Sequence, residues 1–516
     1  MRTADERTDG AAAEAEAILG GPGLSEALRR LAAEEPGRPY LRDRDRAVGA
    51  AELDSRVDDA VARLREAGLT GEDRVALALP VSVEHVVLIF AVLRLGALWL
   101  PLNTKLKGEP LRHQLADSGT DVVIAEDGAE LLTGLPDAGG SERIELPGAS
   151  GAPLELVRLE RVGRDRAARE DAVLLMYTSG TTGPPKGVLV SETMLTGAAV
   201  GALQVTRPEP GDVFYVWEPL FHIGGAQVVF LPLFREIELA LAPRFSASRF
   251  WEDVRDFGVT HVHYLGGVLQ ILLQLPVSAA ERESGVRVAW GAGATPAIRE
   301  ACVRRFGFEL NECYGMTETS SIVTVNRNDA EGGIGRPLPW FEVSVDESAP
   351  GTAPGQGEIL VGERIPGLLT RGYLGNPEAS RKARDGAWFR TGDNGHLDDA
   401  GNLHFDGRGS DSIRVRGENV SAWQVEDVFG LHPAVDRCAV VGVDAQVGEQ
   451  EMLLLVTPAE GASLDPSALL DWGRERLADF QVPRYAKVVE EMPLTPSQRI
   501  AKHRLSRNLE GATTAG

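Results

Sequence analysis

RVALALPVSVEHVVLIFAVLRLG, Arg74 to Gly96, sets an apolar run of strand length directly before a helical pattern. Arg74 to Leu79 reads as a strand, and Ser82 followed by Glu84 supplies a helix start. The apolar stretch that continues from Val86 to Leu102 is interrupted by Arg94 and Gly96, which predicts a buried helix and no membrane span. A helical pattern at Glu109–Asp117, closed by Gly119, and an apolar run at Asp121–Ala125 follow. The alternation predicts an α/β architecture with a mainly parallel, helix-covered sheet. It resumes at Asp171–Tyr177 and Val259–Leu265, with no period that would signal a repeat array.

The 516 residues exceed one ordinary core, so several subdomains are expected. A turn-rich stretch, DGRGSDS from Asp406, marks a joint. Beyond it a helix around Ser421–Phe429, strands at Cys438–Val443 and Met452–Thr457, and a helix capped by Asp465 with Pro466 at its first position make a small α+β domain. The expected organisation is a flexible N-terminus (1–20), a large domain (21–406), a hinge (407–411), a mobile small domain (412–510) and a disordered tail (511–516).

Asp and Glu outnumber Lys and Arg by 76 to 53, a formal charge of −23, so nucleic acid is excluded as a partner of the average surface. Cys302, Cys313 and Cys438 have neither metal-ligand nor disulfide-framework spacing. The N-terminus, MRTADERTDGAAAEAEAILG, lacks the basic-then-apolar order of a signal peptide and reads as a frayed start that becomes helical. These features predict a cytoplasmic protein with no membrane span.

After the strand ending at Tyr177 comes YTSGTTGPPKG, Tyr177 to Gly187. Gly180 and Gly183 let backbone approach a ligand, the hydroxyls of Thr178, Ser179, Thr181 and Thr182 donate hydrogen bonds, and Lys186 supplies charge. That combination at the end of a strand suits a polyphosphate. It is not a Walker loop, because Lys186 lies between Pro185 and Gly187. A glycine- and serine-rich surface turn is the other reading of the string alone.

Further strings follow in order: PLFHIGG (Pro219–Gly225), WGAGATP (Trp290–Pro296), NECYGMTET (Asn311–Thr319), GGIGRP (Gly332–Pro337), WFRTGD (Trp388–Asp393), GRGSD (Gly407–Asp411) and RGENVSAWQVE (Arg416–Glu426). With the glycine-rich loop, they resemble the adenylate-forming superfamily of acyl-CoA synthetases, luciferases and peptide-synthetase adenylation domains. The resemblance spans most of the chain. It implies a large N-terminal domain of stacked helix-covered sheets and a smaller C-terminal domain that rotates about a hinge at Asp411. It also implies ATP-dependent, AMP-forming activation of a carboxylic acid, followed by transfer to a thiol such as CoA.

Bringing an anionic carboxylate to an anionic phosphate demands fixed donors, cations and Mg²⁺. By resemblance, Thr178–Gly183 and Lys186 hold the β- and γ-phosphates, Thr317 bonds the α-phosphate and Glu318 ligates Mg²⁺. Cys313, Tyr314, Gly315 and Met316 line the nucleotide, Asp393 takes the ribose hydroxyls, and Arg408 reaches ribose or phosphate. Gly291, Ala292 and Gly293 offer a flat wall for adenine, although such glycines also mark tight packing. His222 stands where amino-acid-activating relatives carry aspartate, which favours a simple carboxylic acid; a packed core histidine is the alternative. Tyr264, Gly266, Gly267 and Ser321 fall at acyl-pocket positions. GSDSI, from Gly409, also resembles a carrier-protein attachment site, but the hinge strings around it outweigh that.

Two departures stand out. Relatives end in a loop close to P-x-T-x-S-G-K-I with a catalytic lysine; here PLTPSQRI (Pro493–Ile500) carries Arg499 in its place, and the two cations are not interchangeable. Arg499 does the lysine's work, Lys502 reaches in, or adenylation is slowed. The acceptor loop has Arg416 and Gly417 where many relatives have two glycines, so Arg416 meets CoA phosphates or faces solvent. RGENVS and IPG (Ile365–Gly367) are most like crotonobetaine/carnitine-CoA ligases. Another acceptor or acid (a free-standing carrier protein, an amine, or nitrite) and an adenylate-binding protein without turnover are the alternatives.

Overall fold

The computed structural model describes residues 4–106, 108–135, 138–144, 153–159, 168–178, 185–327, 333–348, 355–408, 412–415, 418–444, 450–477, 481–495 and 499–514. The opening stretch folds as strand Arg74–Ala78, helix Val83–Leu95 and strand Leu98–Pro101. The Ser82 hydroxyl caps the helix by accepting from His85 N at 3.2 Å, and Gly96 ends it in the left-handed region at φ 81°. The expectation of one helix running through Leu102 is therefore corrected. The left-handed glycine turns the chain, and the apolar run beyond it becomes an inner strand buried on both faces.

Two large sheets carry the site. One orders Ala138–Ile144, Leu154–Leu159, Val122–Glu126, Arg74–Ala78, Leu98–Pro101, Ala172–Thr178 and Lys186–Ser191, parallel in the middle and antiparallel at both edges. The other places Pro39–Arg42, Ile237–Leu241, Asp212–Val216, His261–Leu265, Val288–Ala292 and Glu309–Tyr314 in parallel. The almost wholly buried helix Glu192–Thr206 touches strands of both sheets, and a single apolar core joins them. An antiparallel sheet, Phe341–Asp346 to Leu403–Arg408, adjoins, and a fourth sheet is built from Ser412 onward around Val435–Asp444 and Gln450–Pro458. Sheet membership thus changes between Arg408 and Ser412; Asp411 lies outside the described residues.

The N-terminal stretch is helical and docked on the core, and the C-terminal end differs from expectation. The N-terminal segment forms the helix Ala4–Leu19, with Ala15 fully buried, Ile18 and Leu19 packed on the core, and Glu14 paired with Arg235. An alanine-rich sequence favours helix, and one apolar stripe suffices to dock it. At the other end, Thr513–Thr514 pairs antiparallel with Tyr485 and Ala486, so residues 511–514 are fixed by strand pairing where a disordered tail was expected. Leu509 and Ala512, packed on the small-domain core, supply the apolar anchor. Among the described residues no helix is long and apolar enough to cross a membrane.

Candidate active site

Open α/β sheets bind ligands beyond the carboxyl ends of their parallel strands. Thr178 closes one such strand and Lys186 opens the strand that returns, the two being direct cross-strand partners. Ser179, Gly180, Thr181, Thr182 and Gly183, in the loop between them, lie outside the described residues. Lys186 Nζ rests 4.9 Å from the ring centroid of Tyr373, whose hydroxyl donates to Glu318 Oε1 at 3.1 Å. Burial and the Glu318 charge both push the Tyr373 phenol far above its usual range, so it remains a proton donor. Thr317 and Glu318 sit buried on the one-turn helix Thr317–Thr319, held by Thr370 N donating to Glu318 O at 2.8 Å. Ser320 and Ser321 follow in the left-handed region at φ 53° and 67°, a strained turn stabilised by Ser320 Oγ donating to Leu368 O at 2.6 Å.

The groups assigned to the nucleoside also converge. Tyr314, ending its strand, donates from its hydroxyl to Asp393 Oδ2 at 2.9 Å, and Asp393 faces Arg408 directly across the antiparallel pair. The glycines beside them are required by backbone packing. A Cβ on Gly291 would lie 2.0 Å from Tyr264 O, on Gly266 1.9 Å from Gly293 O, and on Gly315 2.0 Å from Ser321 O. Gly293 is left-handed at φ 87° with room around it. Ala292 ends its strand, and the Cys313 thiol donates to Gly291 O at 3.1 Å. Burial raises the thiol well above its normal value, which leaves it a packing residue. Glu312, given no role in the sequence reading, fastens this loop by accepting from Gly293 N at 2.5 Å and from Tyr264 Oη at 2.6 Å.

That contact relocates Tyr264. Strand neighbours alternate faces, and Tyr264 points into the core built around Phe250 and Val268, buried and bonded to Glu312. Tyr264, expected at an acyl-pocket position, thus faces this core, while His263, one residue earlier, takes the opposite face. His263 Nδ1 lies 2.7 Å from Glu218 Oε2, and its ring sits 4.4 Å from that of Trp290. Gly267 lies in the first turn of helix Gly266–Gln274, and Met316 packs on the main core while accepting from Ser321 N at 2.9 Å.

His222 precedes the helix Ile223–Val228, its Nε2 buried without a hydrogen-bond partner among the described residues. Burial pushes its imidazole down, Glu218 opposes this, and the Arg499 guanidinium pushes it further down. Arg499 sits in a tight loop closed by Thr495 N donating to Arg499 O at 2.7 Å and Arg499 N donating to Thr495 Oγ1 at 3.1 Å. Lys502 is tied instead to Glu426 Oε1 at 2.8 Å within the small domain. Arg416 and Gly417 lie outside the described residues. Tyr373, Glu312, Glu218 and His263 were missed by sequence reasoning. Only Glu218 had a legible signal, a lone carboxylate in the apolar run VFYVWEPLF.

The "AMP-binding enzyme" family model matches residues 28–374, and the model "AMP-binding enzyme C-terminal domain" matches residues 424–499. A 2-succinylbenzoate–CoA ligase of Geobacillus kaustophilus is 32% identical over 486 residues, covering 93% of this chain and 97% of the relative. A feruloyl-CoA synthase of an Amycolatopsis species is 33% identical over 491 residues, with the same coverage. Among solved structures, the O-succinylbenzoate coenzyme A synthetase of Bacillus subtilis, in complex with ATP and magnesium ion, superposes with a TM-score of 0.79 at 26% identity, covering 93% of this chain and 98% of that one.

Proposed function

The chain belongs to the AMP-binding enzyme family, and from that premise we propose how its own residues carry out the reaction of an AMP-forming acid–thiol ligase. The enzyme uses ATP, Mg²⁺ and CoA: an oxygen of the acid's carboxylate attacks the α-phosphorus, pyrophosphate leaves, and the thiol sulfur then displaces AMP from the acyl carbon with loss of its proton. The observation that supports the residue roles best is the contact chain Lys186–Tyr373–Glu318, which brings the phosphate-binding cation to a buried carboxylate.

In this reading Thr178 and Lys186, with the hydroxyls of the loop between them, hold the β- and γ-phosphates. Thr317 donates to the α-phosphate. Among the described residues no group of three or more His, Cys, Asp or Glu could hold a metal. This fits Mg²⁺, which takes one or two carboxylates and draws its other oxygens from phosphate and water. Glu318 would hold it, where it neutralises charge on the phosphates. Tyr314 lies against adenine, Asp393 accepts from the ribose, and Arg408 reaches ribose or phosphate. His222, kept neutral by burial, orients the acid. Arg499 supplies the charge between carboxylate and α-phosphate. Rotation at Asp411 then exchanges it for the Arg416–Gly417 loop, which receives the thiol.

The acid itself is proposed to carry an aryl group, as 2-succinylbenzoate and ferulate do in the names of the relatives. The likeness to crotonobetaine/carnitine ligases rests on RGENVS and IPG alone. With three free thiols among the described residues, the protein fits a reducing, cytoplasmic compartment. Acid-dependent pyrophosphate release tests the roles. Arg499→Ala should slow it by about 10²- to 10³-fold, while Lys502→Ala changes it little. The reverse pattern would transfer the role to Lys502.

A further inference from the structure

Native cores leave few buried polar atoms unsatisfied, and a cluster of them calls for a missing partner. Two buried atoms without a partner, His222 Nε2 and Trp290 Nε1, flank a close pair, Glu218 Oε2 and His263 Nδ1, on adjacent strands of the large sheet and the turn after one of them. Glu218 and His222 bracket the turn that follows strand Asp212–Val216, His263 belongs to the next strand, and Trp290 to the strand beside it. Glu218 Oε2 and His263 Nδ1 lie 2.7 Å apart as a carboxylate–imidazole pair, so His263 fills only part of what the carboxylate can accept. Gly224 forms the other wall, since a Cβ there would come within 2.8 Å of Glu218 Oε2. Burial pushes the Glu218 carboxyl up, but His263, His222 and Arg499 outweigh it and hold the group below its usual range. The cluster therefore offers a fixed carboxylate, 6% exposed, within reach of the charges of His222 and Arg499.

We propose that Glu218 is a specificity-determining residue: its carboxylate accepts a hydrogen bond from a hydroxyl or amino group on the acid substrate, against the wall formed by His263, Trp290 and Gly224. This rests on the ligase reading above. A purely hydrocarbon acid would bury the Glu218 carboxylate with acceptor capacity left unfilled, and that penalty is what makes a polar pocket reject analogues lacking the group. A quaternary ammonium, which has no N–H, leaves the same acceptor capacity unfilled.

The test uses matched acids: hydroxy- and amino-substituted benzoates and cinnamates against their unsubstituted, O-methylated and trimethylammonio counterparts. The readout is the ratio of kcat/KM for pyrophosphate release between members of a pair. The full-length enzyme should favour a donor-bearing acid by roughly 10³-fold or more. Glu218→Gln, which keeps one acceptor oxygen, should retain part of the ratio, and Glu218→Leu should bring it close to one. A ratio near one in the unaltered enzyme, preference for the trimethylammonio acids, or an unchanged ratio in Glu218→Leu would overturn the assignment. A merely structural role for Glu218 would lower all rates together and leave the ratio intact. If no acid releases pyrophosphate, the ligase reading fails separately. Calorimetric binding of the same pairs in the presence of AMP then decides: donor-dependent affinity abolished in Glu218→Leu upholds the inference, and equal affinities overturn it.

Discussion

At residue 373 a tyrosine serves two charges at once, its ring under Lys186 and its hydroxyl on Glu318. Tyr373→Phe keeps the ring and removes the donor, and a hydrogen bond to a charged group contributes about 1.5–3 kcal/mol. The Mg²⁺ concentration for half-maximal pyrophosphate release should therefore rise about tenfold or more, while the ATP dependence at saturating Mg²⁺ moves less. Titrating both dependences checks it, and an unchanged Mg²⁺ requirement would detach Tyr373 from the metal. The same paired logic applies to Asp393, whose loss should raise KM for ATP about tenfold or more through the lost ribose acceptor. At this scale the sequence exposed residues that sit in distinctive strings, such as Thr317, Glu318, Tyr314 and Asp393. It concealed Tyr373, Glu312 and His263, whose roles arise from partners 55, 48 and 45 positions away along the chain. No local pattern encodes such pairings.

Element boundaries were legible wherever one side chain terminates a helix. Ser82 and Asp465 cap as expected, and Gly96 stops a helix that periodicity alone would have carried on to Leu102. Glycine spacing was legible as close approach but not as to what approaches. Gly266 and Gly291 make room for the backbone of Gly293 and Tyr264. Gly266→Ala would place Cβ 1.9 Å from Gly293 O, so the Val288–Ala292 strand end must shift. Overpacking of this kind costs about 1–3 kcal/mol or more. Lower thermal stability together with a raised KM for ATP is the expected outcome in a melting and kinetic comparison. Gly367→Ala, whose Cβ would make only ordinary contact with Thr193 but which sits at φ 94°, should lower stability without the same effect on ATP.

Across the whole molecule, two histidines far from the chemistry set an acid limit. Burial depresses His85 and His261 from 6.5 to about 4. A base whose folded pKa is depressed contributes its stability in full above the unfolded value and loses it as pH falls toward the folded one. Each should therefore withdraw up to about 3 kcal/mol between pH 6.5 and 4. Denaturant melts across that window check this, and His261→Asn, compared with the unaltered chain, should flatten the dependence. The α/β architecture with a small appended domain was readable from alternating patterns because those periods are local. The docked helix Ala4–Leu19 and the strand Thr513–Thr514 were not, since each is held by surfaces distant in sequence. The whole-molecule claim is that an acid is activated on one domain and handed to CoA after the other rotates. Its most direct test is mass spectrometry of a reaction containing ATP, Mg²⁺, CoA and an aryl-acid panel. AMP, pyrophosphate and acyl-CoA forming in equal amounts with at least one acid is the predicted result. AMP formation without loss of CoA, or no AMP with any acid, would contradict it.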